Sequence, residues 1–462
     1  MGSVYQIVTT VSILTASFAM PTVALAERPA VLIAQASANE FYADGIEELQ
    51  KEDYEDAIED FSQAIALDAN YADAYANRGF ARAALGNYQS AIADFDQAIQ
   101  LDPSNADAYR NRGIAYYQTG DESSAIADLN QALQLQPDDA TAYLYRGIVH
   151  VSMGDTSSAM ANFNQAIQRR PEYTEAYTHR GTAHLAVNQY DQAVADFDHA
   201  IELNPDYAPA YLGRGTAYYQ AGNLEAAVTD LDQAVRENND LAPAYFNRGI
   251  VYAVMGEYSD AVNDFDDAID RQPAYAEAYL NRGVIWASVG DRRQAMTDYN
   301  QAIAINPNYA EAYKARGDLK AEINDHSGAV EDYTQAITLN PNYAQAYQGR
   351  ADAHLALDQR SQALQDYSQT LRLNPDNAAA YRHRGDIRLS QGDTQGALDD
   401  YNQAIQRDEQ SADAYYGRGL IRASMGDRNA AIADFQKAGD LYRQLGRAQG
   451  YRNTIRELSR LR

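Results

Sequence analysis

An arginine stands at residues 78, 112, 146, 180, 214, 248, 282, 316, 350, 384 and 418, and sixteen residues after each comes an aspartate, with one exception. The pairs are Arg78/Asp94, Arg112/Asp128, Arg180/Asp196, Arg214/Asp230, Arg248/Asp264, Arg282/Asp298, Arg316/Asp332, Arg350/Asp366, Arg384/Asp400 and Arg418/Asp434, and Arg146 has Asn162 instead. A guanidinium and a carboxylate can grip a ligand or a developing charge, or they can grip each other bidentately. A catalytic or binding site needs one set of residues, not eleven. The pattern therefore reads as a structural ion pair that sets helix register.

Other candidate chemistry is sparse. His150 and His184 lie 34 residues apart with His179 close by, which raises a metal site, but Tyr116, Tyr218, Tyr252 and Trp286 fill the same place elsewhere. The run "NDFDDAID" from Asn263 has the charge of a calcium loop without its central glycine. There is no GxxxxGK[ST] loop, HExxH helix or GxSxG elbow, and no cysteine for a thiolate site or disulfide. No catalytic residue, metal or cofactor is expected, and the chain is read as a non-enzyme.

What positions the arginines is a period of 34 residues that runs without insertion or deletion. Counted from Ala38, twelve units close at residues 71, 105, 139, 173, 207, 241, 275, 309, 343, 377, 411 and 445. Place 7 is the arginine from the second unit on, with Asp44 facing Asp60 in the first, place 8 is glycine except at Ala351, and place 20 is always alanine. Gly86, Gly120, Gly154, Gly222, Gly256, Gly290, Gly392 and Gly426 fall mid-unit, replaced by Asn188, Asn324 and Asp358 in three others. These residues tolerate a left-handed backbone and read as helix stops. Prolines such as Pro103, Pro137 and Pro205 close the second half. Each unit is thus two short antiparallel helices. Arg78 and Asp94 stand equally far from the turn, roughly 12 Å along each helix, and so face each other. One hairpin cannot bury its apolar face, whereas a stack of them forms a quasi-one-dimensional solenoid.

The net charge of −28 argues against nucleic acid and anionic lipid as partners. Residues 1–26 lack any charged side chain and end in Ala24-Leu25-Ala26, the layout of a secretory signal peptide cut after Ala26, although no basic residue precedes the apolar core. The expectation is an extracytoplasmic protein (periplasmic or secreted) if the segment is cleaved and a membrane-anchored one if not. Residues 27–37 read as a linker. After Leu445, Tyr451, Ile455, Leu458 and Leu461 recur at helical spacing among arginines, predicting a capping helix within 446–462 whose apolar face covers the last hairpin. Its basic face is either a solubilising surface or a contact for acidic partners or lipid.

The segment "AYRNRGIAYYQTGDESSAIADLNQALQLQP" from Ala108 carries an aromatic, Gly, Tyr, Gly, Ala, Leu, Ala and Pro in the order that marks the tetratricopeptide repeat (TPR). The chain over 38–445 resembles that family, and its Arg-Gly dipeptides resemble bacterial exported members. The resemblance implies an all-α, right-handed superhelical α-solenoid whose first helices line a concave groove for extended peptides or partner helices. Places 5, 9 and 12 usually point into that groove. They hold Ile114, Tyr117, Leu144, Ile148, Val151, Leu185, Leu212, Tyr219, Phe246, Ile250, Leu280 and Val284 centrally, then Lys314 with Asp318, Gln348 with Asp352, and Arg382 with Asp386. Either these side chains form a binding surface or several of them pack against neighbouring units. The implied function is a protein-interaction scaffold for protein or peptide partners, basic or amphipathic ones included, with no small-molecule substrate, in a monomer or weakly self-associating chain. The competing readings are a self-assembling structural component and a regulatory or targeting subunit of an enzyme on another chain.

Overall fold

The computed structural model describes residues 38–461, all helix and turn with no strand among them. The signal-peptide and linker expectations lie outside the described residues. In chain order the helices are α1 (Ala38–Gln50), α2 (Tyr54–Leu67), α3 (Ala72–Ala84), α4 (Tyr88–Leu101), α5 (Ala106–Gln118), α6 (Glu122–Leu135), α7 (Ala140–Ser152), α8 (Thr156–Arg169), α9 (Thr174–Ala186), α10 (Tyr190–Leu203), α11 (Ala208–Gln220), α12 (Leu224–Glu237) and α13 (Ala242–Met255). They continue as α14 (Tyr258–Arg271), α15 (Ala276–Ser288), α16 (Arg292–Ile305), α17 (Ala310–Glu322), α18 (His326–Leu339), α19 (Ala344–Ala356), α20 (Arg360–Leu373), α21 (Ala378–Ser390), α22 (Thr394–Arg407), α23 (Ala412–Ser424), α24 (Arg428–Gln444) and α25 (Ala448–Arg460). Two compact units divide at the turn between α13 and α14, so that α1–α13 belong to one and α14–α25 to the other.

Local chemistry sets the helix ends. The mid-unit glycines have φ between +77° and +88°, a region glycine enters without steric cost. Asn188 (φ 59°), Asn324 (64°) and Asp358 (57°) take the same conformation, as does Glu52 (61°) in the first unit, where the sequence offers no glycine or asparagine. The next helix then starts on a side-chain cap: Asp121 accepts from the Ser124 amide at 3.0 Å and Asp393 from the Gly396 amide at 2.9 Å.

The core is built from small residues facing large ones. Ala91 and Ala98 are fully buried on α4, and so are their equivalents in every other second helix, with Thr370 taking one such place. Thr370 satisfies its hydroxyl by donating to the Asp366 carbonyl at 2.9 Å. Place 24 supplies the filler, Phe95, Leu129, Phe163, Leu231 or Tyr299, each fully buried. Gly79 must lack a side chain because a Cβ there would lie 2.8 Å from Phe95 Cε1. Within each unit the second helix of a hairpin also packs on the first helix of the next, as α2 does on α3 and α22 on α23.

First helices touch one another as well. In the first unit α1 meets α3, α3 meets α5, and so on to α13; in the second α15 meets α17, α17 meets α19 and α21 meets α23. Consecutive second helices do not approach comparably. The first helices therefore form an inner layer and the second helices an outer one.

Candidate functional site: the arginine staples and the inner face

The arginines sit between layers. Arg214 donates from Nε to Asp230 Oδ2 and from Nη2 to Asp230 Oδ1, both at 2.7 Å. The same two-bond grip joins Arg78, Arg112, Arg180, Arg282, Arg316, Arg350, Arg384 and Arg418 to Asp94, Asp128, Asp196, Asp298, Asp332, Asp366, Asp400 and Asp434, at 2.5–3.0 Å. Arg146 donates to Asn162 Oδ1 at 2.7 Å, and Asn162 in turn donates to the Ser158 carbonyl at 2.7 Å. The carboxylate matters to the guanidinium. Its hydrogen bond with Asp128 raises the pKa of Arg112, whereas burial lowers that of Arg146. Arg248 and Asp264 share a repeat but lie on either side of the division between the two compact units.

A third bond was not legible from the pairing arithmetic. Nη1 of each arginine reaches back to place 25 of the preceding second helix: Arg78 to Ser62 Oγ (3.0 Å), Arg112 to Asp96 (2.6 Å), Arg146 to Asn130 (2.6 Å), Arg248 to Asp232 (2.6 Å), Arg350 to Thr334 (3.0 Å) and Arg418 to Asn402 (2.9 Å). The guanidinium also lies 5.2–5.6 Å from the ring of the tyrosine three residues earlier in all eleven copies, Tyr75 to Tyr415. Ten of these arginines thus staple their own hairpins shut, and all eleven tie their first helix to the second helix before it. The sequence signal was place 25 itself, a short hydrogen-bond acceptor from Ser62 to Asn402 and then Gln436 in the last unit.

Place 11 holds a second cation in four hairpins. Arg82, Arg388 and Arg422 donate to the same carboxylates, Asp94 (2.7 Å), Asp400 (2.9 Å) and Asp434 (2.9 Å), and Lys320 lies 2.9 Å from Asp332. His184 occupies that place too, with Nδ1 at 2.6 Å from Gln189 Oε1 and Nε2 at 3.7 Å from Asp196. His150 faces Asp155 at 3.7 Å. His179 stacks on Phe163 with ring centres 5.9 Å apart, and burial pulls its pKa down to about 4. Among the described residues the only trio with ligand atoms within 4.8 Å of one another is Glu48, Asp53 and Asp56, which surrounds the cap of α2. The Asn263 run lies on α14.

The expected groove lining divides by place. Leu144, Leu212, Phe246 and Leu280, all at place 5, are buried, and so are Ile250 and Val284 at place 9. Leu144 and Leu212 pack into the clusters around Phe163 and Leu231, and Leu280 and Val284 pack around Tyr299. A partner cannot reach these six, which corrects their placement in a groove. Ile114 and Ile148 at place 9 and Tyr117, Val151, Leu185 and Tyr219 at place 12 stay partly accessible.

In the second unit the inner face carries charge. Lys314 Nζ donates to Asp318 Oδ2 (2.6 Å), whose Oδ1 accepts from Tyr333 (2.7 Å). Tyr367 donates to Asp352, Tyr401 to Asp386 (2.8 Å) and Arg382 to Asp386 (2.9 Å). Asp352 and Asp386 are exposed yet ringed by neighbouring helices. Loss of surrounding water raises both pKa values, opposed by the tyrosine hydroxyls and Arg382.

The last helix, α25, packs on α24 through buried Thr454, with Tyr451, Leu458 and Leu461 half-buried. Ile455 is 43% exposed, a correction to its expected place on the covered face. It lies at the border between the covered face and the arginine side.

TPR repeat models match residues 45–86, 81–120, 115–154, 317–358 and 385–426, and tetratricopeptide repeat models match 178–243, 246–291, 276–309, 140–173 and 412–444. No curated protein matches the chain. Similar solved structures include yeast Tom70 (15% identity, 92% of this chain and 95% of that one, TM-score 0.38). The hetero-tetramer of APC/C Cut9-Hcn1 is another (12%, 91% and 96%, 0.47). A third is YrrB, described as a TPR protein with an unusual peptide-binding site (27%, 40% and 95%, 0.33). With repeated helix hairpins and repeat matches over more than half its length, the chain belongs to the tetratricopeptide-repeat family.

Proposed function

We propose that the chain is a non-enzymatic scaffold that holds an extended peptide or a helix of a partner protein on the inner layer of first helices. The observation that supports this reading is the alignment of Tyr117, Val151, Leu185 and Tyr219, one place-12 side chain from each of four successive first helices, all partly accessible. Contiguous apolar side chains on a surface commonly mark an interaction site. On α17 and α21 Lys314 pairs with Asp318 and Arg382 with Asp386. The uncharged, apolar segment 1–26 supports export of the scaffold from the cytoplasm.

The test is selection of binders from a random peptide library, followed by fluorescence anisotropy with Leu185→Asp and Tyr219→Asp. Both side chains are half-buried against the clusters around Phe197 and Leu231, so binding is read only for variants whose circular dichroism matches that of the parent chain. Peptides that bind both variants as tightly as the parent chain would refute the place-12 surface.

A further inference from the structure

We propose that the acidic first hairpin of one molecule docks on the basic last helix of a second copy, so that the chain associates head to tail. The internal interfaces supply the comparison. In every later hairpin place 7 is an arginine, and its Nη1 bonds to place 25 of the helix before it. The cation thus always sits on the first-helix side of an interface and the acceptor on the preceding side. In the first hairpin place 7 is Asp44, exposed, with exposed Glu47 one turn further along the same stripe. The single cation of this hairpin, Lys51 in the turn between α1 and α2, pairs with Glu47 (2.8 Å) and Glu48 (3.0 Å), which leaves Asp44 and Asp60 without one. Burial together with Asp44, Glu48, Glu59 and Asp56 pushes the Asp60 carboxyl up to about 6. A guanidinium brought to this face from outside would relieve that repulsion.

At the other end the polarity inverts. The outward side of α25 carries Arg452, Arg456 and Arg460, all exposed and each four residues from the next, with Ile455 exposed beside them. In a chain of net charge −28 this is a locally basic face, and its complement is the chain's own first hairpin. Acid stands on the first-helix side and arginine on the other, opposite in sign to the internal interfaces. Two first hairpins repel each other, and so do two copies of α25, so like-end pairing is disfavoured and only head-to-tail contact is attractive. Such a heterologous contact gives open chains rather than a closed dimer unless its rotation closes a ring.

Sedimentation velocity over a concentration series tests this on the full chain. At low ionic strength the weight-average sedimentation coefficient should rise with concentration. The rise should vanish in about 0.5 M salt, where exposed charges are screened beyond a few ångströms. It should also vanish in Arg452→Glu/Arg456→Glu and in Asp44→Arg/Glu47→Arg, and return when the two variants are mixed in equal amounts. The neutral pair Arg452→Gln/Arg456→Gln repeats the first arm without introduced charge, and circular dichroism confirms that each variant keeps its helices. A parent chain that shows no concentration dependence overturns the proposal. So does association that survives both end reversals, or a mixture that stays monomeric.

Discussion

Arg214 holds three oxygens, and the structure makes their contributions unequal. Its Nε and Nη2 meet Asp230, which is 5% exposed, whereas Nη1 meets Asp198 on the open outer face. Arg214→Leu leaves the Asp230 carboxylate buried without its cation, which should cost about 3–5 kcal/mol. Asp198→Ala removes an exposed partner only, and about 0.2–1 kcal/mol is expected. Asp230→Asn keeps an acceptor, as Asn162 does opposite Arg146, and should cost about 0.5–1.5 kcal/mol. Replacing both members, Arg214→Met with Asp230→Leu, removes the stranded charge and should recover most of the loss. A long repeat array need not unfold in one step, so a single midpoint is the wrong readout. Native-state hydrogen exchange followed by mass spectrometry resolves α10 to α12, where a loss of about 3 kcal/mol speeds exchange roughly a hundredfold. If Arg214→Leu and Asp198→Ala speed exchange equally, or the double replacement is as damaging as the single one, the staple is not what holds these hairpins.

The turn conformation predicts that Gly222 (φ +83°) tolerates asparagine with little loss, as Asn188 shows, while Gly222→Val costs about 1–2 kcal/mol, read as faster hydrogen exchange in α11 and α12. His179 is packed against Phe163, with its pKa lowered to about 4, so the folded state favours the neutral ring. The stability it contributes is whole above about 6.5 and is lost as pH falls from there toward 4. His179→Phe should flatten that acid-side loss in exchange from α9 and α10. Asp60, raised to about 6, has the opposite sign: its contribution is whole in acid and is lost as pH rises through 6. Asp44→Arg, which installs at place 7 the residue every later hairpin has, should slow exchange in α1 and α2 above pH 6. Because Phe246 is fully buried and Tyr219 half-buried, Phe246→Ala should cost about 3–5 kcal/mol and Tyr219→Ala less, read as hydrogen exchange in α11 to α13.

The sequence discloses whatever a single hairpin decides. Place 7 and place 23 are equidistant from the turn, so their meeting follows from helix rise alone, and Gly79 against Phe95 follows from the need for close backbones. What lies between hairpins was legible only where a residue type repeats. The acceptor series at place 25 was such a signal, and it ends at Gln436: Arg452, 34 residues after Arg418, stands exposed on α25 and donates to Gln449 instead. The inner face has no comparable marker, because from Ile114 to Val284 apolar residues recur at places 5, 9 and 12 alike, and contacts between hairpins decide which of them are covered. Place 5 goes under the neighbour at Leu144, Leu212, Phe246 and Leu280, and place 12 stays open at Tyr117, Val151, Leu185 and Tyr219. Accessible apolar side chains therefore stand at place 12 and, at Phe80, Ile114 and Ile148, at place 9 as well, so accessibility follows the packing of each hairpin on the next and not the place alone.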